Sequence, residues 1–292
     1  MNNFSISQIA QFSGIKPHTI RIWEKRYNAL NPDRSKGNTR YYNGDQLRRL
    51  LNIASLMDYD YKVSELCTMS DKRLFDLVGA LQKKPAGDEP SEYFISQLIA
   101  AGMSYDEAYF EKIFSHSLLR YGMKDTYTKV MYPMLVRLGL MWTSDALPPV
   151  HEHFISNIIR QKMLTAIDSL PPAESTSDTW LLFLPENEFH ENGLLLASYL
   201  IRSSGKKVIY LGGNVPLQSL SIAVEDINPA NLLLFLVRHD LPENIQTYLS
   251  ELSSRFNKQN IYLSGKHKLI NQLNTGEKIH WLKSVDDLEQ QL

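Results

Sequence analysis

Two short runs of this sequence carry residues that could do chemistry. In "LPPVHEHF" (147–154), two histidines flank a glutamate just after a Pro-Pro pair. Three roles compete for them: a metal site, a catalytic pair, or the first turn of a helix. Helical geometry counts against a metal, because at about 100° per residue His151 and His153 point roughly 200° apart and one ion cannot sit between them. The zincin spacing, two histidines four apart on one face, is absent as well. The prolines and a first-turn Glu152 fit a helix start, whose dipole favours a carboxylate. The second run, "PENEFHENG" (185–193), sets Glu188 two residues before His190, with Gly193 three beyond. A carboxylate bonded to one ring nitrogen fixes the tautomer and prepares the other nitrogen to bind metal. Capping the next helix is the competing role for a histidine on such a loop.

The elements around the second run explain its placement. The apolar runs "WLLFLP" (180–185), "VIYLG" (208–212), "LLLFLV" (232–237) and "IYLSG" (261–265) alternate with helix-length segments. Buried strands separated by helices mean a parallel α/β sheet. In an open sheet of this kind, ligands bind outside the carboxyl ends of the strands. Those ends hold Glu188, His190 and Gly193, then Gly212 and Gly213, then "VRHD" (237–240), then Ser264 and Gly265. Glycines there would let backbone approach a ligand closely. "SSGKKV" (203–208) lacks phosphate-loop spacing, and its Gly205 fits a helix stop.

Upstream, residues 91–170 are helical in pattern. Met131, Met134, Leu135, Leu138, Met141 and Trp142 form an apolar stripe, which predicts a small helix bundle. Polar, Pro-bearing segments mark linkers at 79–90 and 171–178. The domains are then 1–78, 91–170 and 179–292. The first is basic: residues 1–49 hold nine Lys and Arg against three Asp and Glu, a net +6 in a chain of net charge -1. Such asymmetry points to a nucleic-acid-binding head. "FSISQIAQFSGIKPHTIRIWEKRY" (4–27) reads as two short helices, with Ser5 or Ser7 capping the first, Gly14 ending it and Pro17 opening the second. Thr19, Arg21, Trp23, Arg26 and Tyr27 then concentrate phosphate and base-edge donors with aromatics. Core packing is the competing role for Trp23. "NPDRSKGNTRYY" (31–42) is turn-rich and basic and suits a β wing carrying Arg40 and Tyr41. The lone Cys67 excludes an intramolecular disulfide and a cysteine zinc site, and fits a reducing cytoplasm. No signal-like or membrane-spanning apolar run is present, so no membrane role is expected.

The order of parts in residues 4–78 resembles the MerR family of winged helix-turn-helix transcription regulators, through "ISQIAQFSGIKPHTIRIWEKRY", "NPDR", "NTRYY" and "DQLRRLLNIASLMDYDYKVSEL". The resemblance implies double-stranded promoter DNA as partner, Thr19, Arg21, Trp23 and Arg26 on or near the recognition helix, and Arg40 and Tyr41 on the wing. Trp23 stands where many members have tyrosine. The family's long dimerisation helix is replaced by the short "DKRLFDLVGALQKK" (71–84), which points to assembly through the later domains.

Across the whole chain, Glu-x-His-x-x-Gly together with Trp142, nine residues, then Glu152-His153 resembles the cobalamin-binding regulators of the CarH and LitR type, which are adenosylcobalamin-dependent photoreceptors. That resemblance makes His190 the lower axial ligand of cobalt and Glu188 its orienting partner. It makes Trp142, Glu152 and His153 a cap over the adenosyl face, and leaves His151 on the surface. It implies a non-enzymatic regulator binding adenosylcobalamin or another corrinoid, a homo-oligomer (dimer or tetramer), and RNA polymerase or another protein as partner. Three positions depart from the family. Thr143 replaces the second histidine that grips cobalt after illumination; Val237-Arg238 replaces a small serine; Ser264 replaces a glycine. Two readings follow: a corrinoid sensor, or a regulator whose cobalamin-type domain has lost the cofactor and serves oligomerisation or partner binding. The expected fold is multidomain: an α winged helix-turn-helix, an α-helical bundle, and an α/β flavodoxin-like (Rossmann-type) parallel sheet.

Overall fold

The computed structural model describes residues 4–35, 37–57, 61–74, 77, 91–143, 149–173, 175–237 and 245–292. The linker expected at 79–90 and most of the 71–84 segment lie outside these residues. The chain divides into two compact units, Met1–Asn157 and Ile158–Leu292.

The first unit opens with β1 (Phe4–Ser5), α1 (Ile6–Ser13), α2 (Pro17–Tyr27), β2 (Asp33–Arg34), β3 (Arg40–Tyr42), α3 (Gly44–Met57) and α4 (Val63–Thr68). Ser5, not Ser7, caps α1 in a capping box: Gln8 N donates to Ser5 Oγ (3.3 Å) and Ser5 N to Gln8 Oε1 (2.6 Å). Gly14 at φ +71° ends α1, and Pro17 opens α2. β3 pairs antiparallel with both β1 and β2, which builds the wing. Arg49 of α3 is an interior staple: it donates to the carbonyls of Ala29 (2.6 Å), Met69 (2.9 Å) and Cys67 (2.6 Å) and pairs with Asp71. One of the nine basic residues of the head therefore serves the fold.

From residue 91 on, the chain continues with α5 (Ser91–Met103), α6 (Glu107–Thr126), α7 (Tyr132–Thr143) and α8 (Pro149–Asp168), with a π-helical turn at Tyr127–Met131. All of α5 from Tyr93 to Met103 is buried. It packs on α3 of the head and also on α6 and the π-helical turn. Between them Gln97 is bonded at both ends of its amide: its Nε2 donates to Asn52 Oδ1 (2.9 Å) and its Oε1 accepts from Tyr109 OH (2.8 Å). Arg137 of α7 holds Glu92 through two bonds (2.7 and 2.9 Å) and donates to the Phe12 carbonyl (3.4 Å). Head and bundle thus share one helix as common core. A helix buried all round has no stripe, so its periodicity could not show this.

The second unit is the sheet expected from the apolar runs: β4 (Ser175–Pro185), α9 (Asn192–Ser203), β5 (Lys206–Val215), α10 (Leu217–Ile227), β6 (Asn231–Leu236), α11 (Ile245–Arg255), β7 (Asn260–Gly265), α12 (His267–Ile270), β8 (Ile279–Trp281) and α13 (Val285–Glu289). All pairings are parallel, in the order β5-β4-β6-β7-β8. That is the flavodoxin-like order, and its switch point lies between β4 and β6. One reading needs correction. β4 starts at Ser175, inside the segment 171–178 taken as a linker, because Ser175 pairs with Lys206 at the sheet edge. β8, only three residues long, carries no period that a sequence could display. Leu181, Phe183, Leu232 and Leu234 join Leu220, Val224, Leu249 and Leu252 in one core beneath α10 and α11.

Candidate functional site

The loop after β4 is built around a fully buried carboxylate. Glu188 Oε1 accepts from the backbone N–H of Phe189 (2.9 Å) and of His190 (3.1 Å), and lies 2.6 Å from His190 Nδ1. Its Oε2 accepts from Val237 N (2.9 Å), at the end of β6. Glu188 thereby ties together the two strand ends that flank the switch point. With a carboxylate at Nδ1, the imidazole carries its proton there, and Nε2 becomes the lone-pair nitrogen. The His190 side chain is 49% exposed. Its Nε2 has no hydrogen-bond partner among the described residues. Such a nitrogen suits a metal, and a group bringing its own cobalt would find one ligand already oriented. Among the described residues no cluster of three His, Cys, Asp or Glu could hold an ion unaided.

The glycines near this loop act differently from the expectation that they let backbone approach a ligand. A Cβ on Gly193 would sit 2.8 Å from Phe235 Cε1, one on Gly213 3.2 Å from the Glu188 carbonyl, and one on Gly265 2.0 Å from the Leu236 carbonyl. All three admit parts of the protein itself. Gly212 is required by its φ of +80°. Ser264 donates to the Leu282 carbonyl (2.9 Å), so its hydroxyl faces the fold. Val237 contributes its N–H to Glu188, while Arg238 lies outside the described residues. The sequence reading missed Glu191. It accepts from Tyr210 OH (2.9 Å) and lies 3.4 Å from Arg160. Burial, then the Glu191 charge, push the Tyr210 pKa up, so the phenol remains a donor. Only the neighbouring fold brings Tyr210 to this loop, and no local motif signals it.

The "HEHF" segment opens α8, as the prolines predict. One of its side chains, His151, is placed otherwise than expected. His153 is 71% exposed, 3.5 Å from the Glu152 carboxylate. His151, read as a surface residue, is buried, stacked on Tyr105 (centroids 4.7 Å apart) and bonded to the Gly102 backbone. Gly102 leaves no room for a Cβ against Ile155, so α5 and the start of α8 lie in close contact and enclose the ring. Burial lowers the His151 pKa, the Gly102 bond opposing. Trp142 and Thr143 occupy the last turn of α7; their side chains and residues 144–148 lie outside the described residues.

On the head, α2 is amphipathic. Ile20 and Trp23 are buried, Thr19 is half-buried, and His18, Arg21, Ile22, Lys25 and Arg26 are exposed. Trp23, at 6% exposure, is core and is withdrawn from the contact set: its position in the helical period faces the head's interior. The outward face instead adds His18, Ile22 and Lys25, which a count of donors overlooks and a helical wheel would find. Arg40 Nε donates to Glu24 (3.0 Å), which also accepts from buried Tyr42 OH. Arg40 therefore pins the wing to α2, half-buried beside Tyr41.

Comparison with known proteins finds matches to parts of the chain. Residues 4–71 match the family described as MerR HTH family regulatory protein. Residues 94–166 match the B12 binding domain. The chain is 27% identical over 256 residues to the HTH-type transcriptional repressor CarH of Myxococcus xanthus, covering 85% of this chain and 84% of that protein. It is 26% identical over 253 residues to CarA of the same organism, covering 84% and 81%. Among solved structures, the monomethylamine corrinoid protein of Methanosarcina barkeri aligns with a TM-score of 0.55 at 12% identity, covering 69% of this chain and 97% of that one. At that identity the likeness speaks for the fold. The chain is thus similar to a MerR helix-turn-helix over residues 4–71 and to a B12 binding domain over 94–166, and its parallel sheet shares the fold of a corrinoid protein.

Proposed function

We infer that this chain is a DNA-binding transcription regulator that senses a corrinoid, its MerR head reading double-stranded promoter DNA and its bundle and α/β domain holding the cofactor. The observation that carries the cofactor reading is the Glu188–His190 pair at the β4/β6 switch point, with one ring nitrogen oriented and the other without a partner among the described residues. His190 would be the cobalt ligand and Glu188 its orienting partner. Glu152, His153 and Trp142 would cover the opposite face. A bound adenosylcobalamin would supply a photolabile cobalt–carbon bond. Changing that face would shift the population of assembled states, and so the number of heads acting together on DNA. Thr143 offers no imidazole, so an illuminated state would need a different partner for the metal. Domain roles follow: a head to about residue 78, a cap at 91–170 and a cofactor domain that begins with β4 at Ser175 and runs to 292. We place the protein in the cytoplasm as a homo-oligomer, with RNA polymerase or another protein as a further partner and no catalytic turnover. Its relatives are regulators, and the Ser264 hydroxyl and the backbone of Val237 both serve the fold.

That last point favours a second reading, a fold kept after the cofactor was lost. One experiment separates them: incubate the full chain with adenosylcobalamin in darkness, desalt, and record the visible spectrum before and after green illumination. Retained corrinoid, with a spectrum altered in His190→Ala, supports the sensor. No retained corrinoid in folded protein supports the module.

A further inference from the structure

Resting on the DNA-binding reading above, we propose that Ile22 is a specificity-determining residue of the head, which reads the 5-methyl group of a thymine in the major groove. An exposed isoleucine by itself is ordinary. Ile22 is distinguished by its surroundings. It is 45% exposed at the middle of α2, on the face shared by His18, Arg21 and Lys25, at spacings of three and four residues. That face presents basic or titratable side chains around a single apolar one. Neither local energetics nor packing accounts for the choice. A β-branched residue is a poorer helix former than lysine or arginine, and an outward-facing position gains little from burial in the head's own core. The opposite face of the same helix is held by Ile20 and Trp23, so the orientation of Ile22 is set by the fold.

The chemistry of the partner is specific. The major groove displays donors and acceptors on every base pair, but only thymine adds a methyl group there, which apolar side chains contact. Arg21 and Lys25 on either side would neutralise phosphates or bond base edges, and this brings Ile22 into the groove floor. Polar neighbours would give affinity and register. Ile22 would give preference for a T·A pair at one position of each half-site.

The test uses the full chain. An operator is selected from a random duplex pool, and each thymine is then replaced singly by deoxyuracil, which deletes only the methyl. Wild type should lose about fourfold in affinity at one thymine per half-site, the worth of one buried methyl-sized group. Ile22→Ala should bind the thymine operator weaker by a similar factor and be indifferent to that replacement. A flat uracil scan, an operator lacking thymine in the recognition positions, or an equal loss in Ile22→Ala and wild type would overturn the assignment. If wild type enriches no sequence at all, the DNA-binding reading fails with it.

Discussion

Replacing Glu188 with glutamine changes one atom in the centre of the candidate cofactor loop. In the native loop Oε1 faces two backbone N–H groups and His190 Nδ1, and Oε2 faces Val237 N–H. Each of these four neighbours presents a donor. The glutamine amide must therefore turn its NH2 toward one side. The lesser loss is at Oε2, where the new donor would confront the Val237 N–H. That orphans one buried backbone N–H and deletes one charge-assisted bond, a cost of about 1–3 kcal/mol. For a unit of this size, about 4 °C per kcal/mol gives a fall of about 4–12 °C in the melting temperature. The His190 Nδ1–H would retain an oxygen partner but a neutral one. Loss of such an orienting carboxylate weakens metal binding by about tenfold to a hundredfold. Calorimetry of the full chain reads the first effect; equilibrium dialysis against adenosylcobalamin, with the visible spectrum of the bound form, reads the second. An unchanged melting temperature would show that Glu188 does not hold the loop. An unchanged affinity and spectrum beside a lowered melting temperature would show that His190 is oriented by something else.

Gly265→Ala should cost more than about 3 kcal/mol, since its Cβ would meet the Leu236 carbonyl at 2.0 Å and that carbonyl is held by Lys266 N. Gly205→Ala, also at positive φ but in open space, should cost only about 1–2 kcal/mol, the left-handed penalty alone; urea unfolding of the two variants side by side checks the ranking. His151 supplies a pH prediction. Burial lowers its pKa in the fold, so as pH falls through about 6.5 the unfolded chain takes up the proton first and stability declines, until the lowered folded pKa is reached. Denaturant midpoints between pH 7.5 and 5 should slope more steeply for wild type than for His151→Phe; parallel slopes would show that His151 is not the group responsible.

Much of this protein was legible in its residues because the signals are local. Capping by Ser5, termination by Gly14 and initiation by Pro17 act within one turn of chain, so the helix-turn-helix could be drawn before any contact was known. Apolar runs of strand length separated by amphipathic helices specified the parallel sheet, and with it the strand ends where Glu188 and His190 lie. A carboxylate two residues from a histidine on one loop can reach it whatever the rest of the chain does. Tertiary structure decided which way side chains face when neighbours in sequence compete. Trp23 and Ile22 are adjacent, yet one is core and the other open, because only the packed head sets the phase of α2. His151 went inside and His153 outside for the same reason, with Gly102 and Tyr105 arriving from another part of the chain. The partners that complete the site, Val237 for Glu188 and Tyr210 with Arg160 for Glu191, are separated from it by whole elements. Spacing along the chain prescribes what neighbouring residues can do together, whereas burial and long-range hydrogen bonds depend on which surfaces meet, and that is settled only when the whole chain packs.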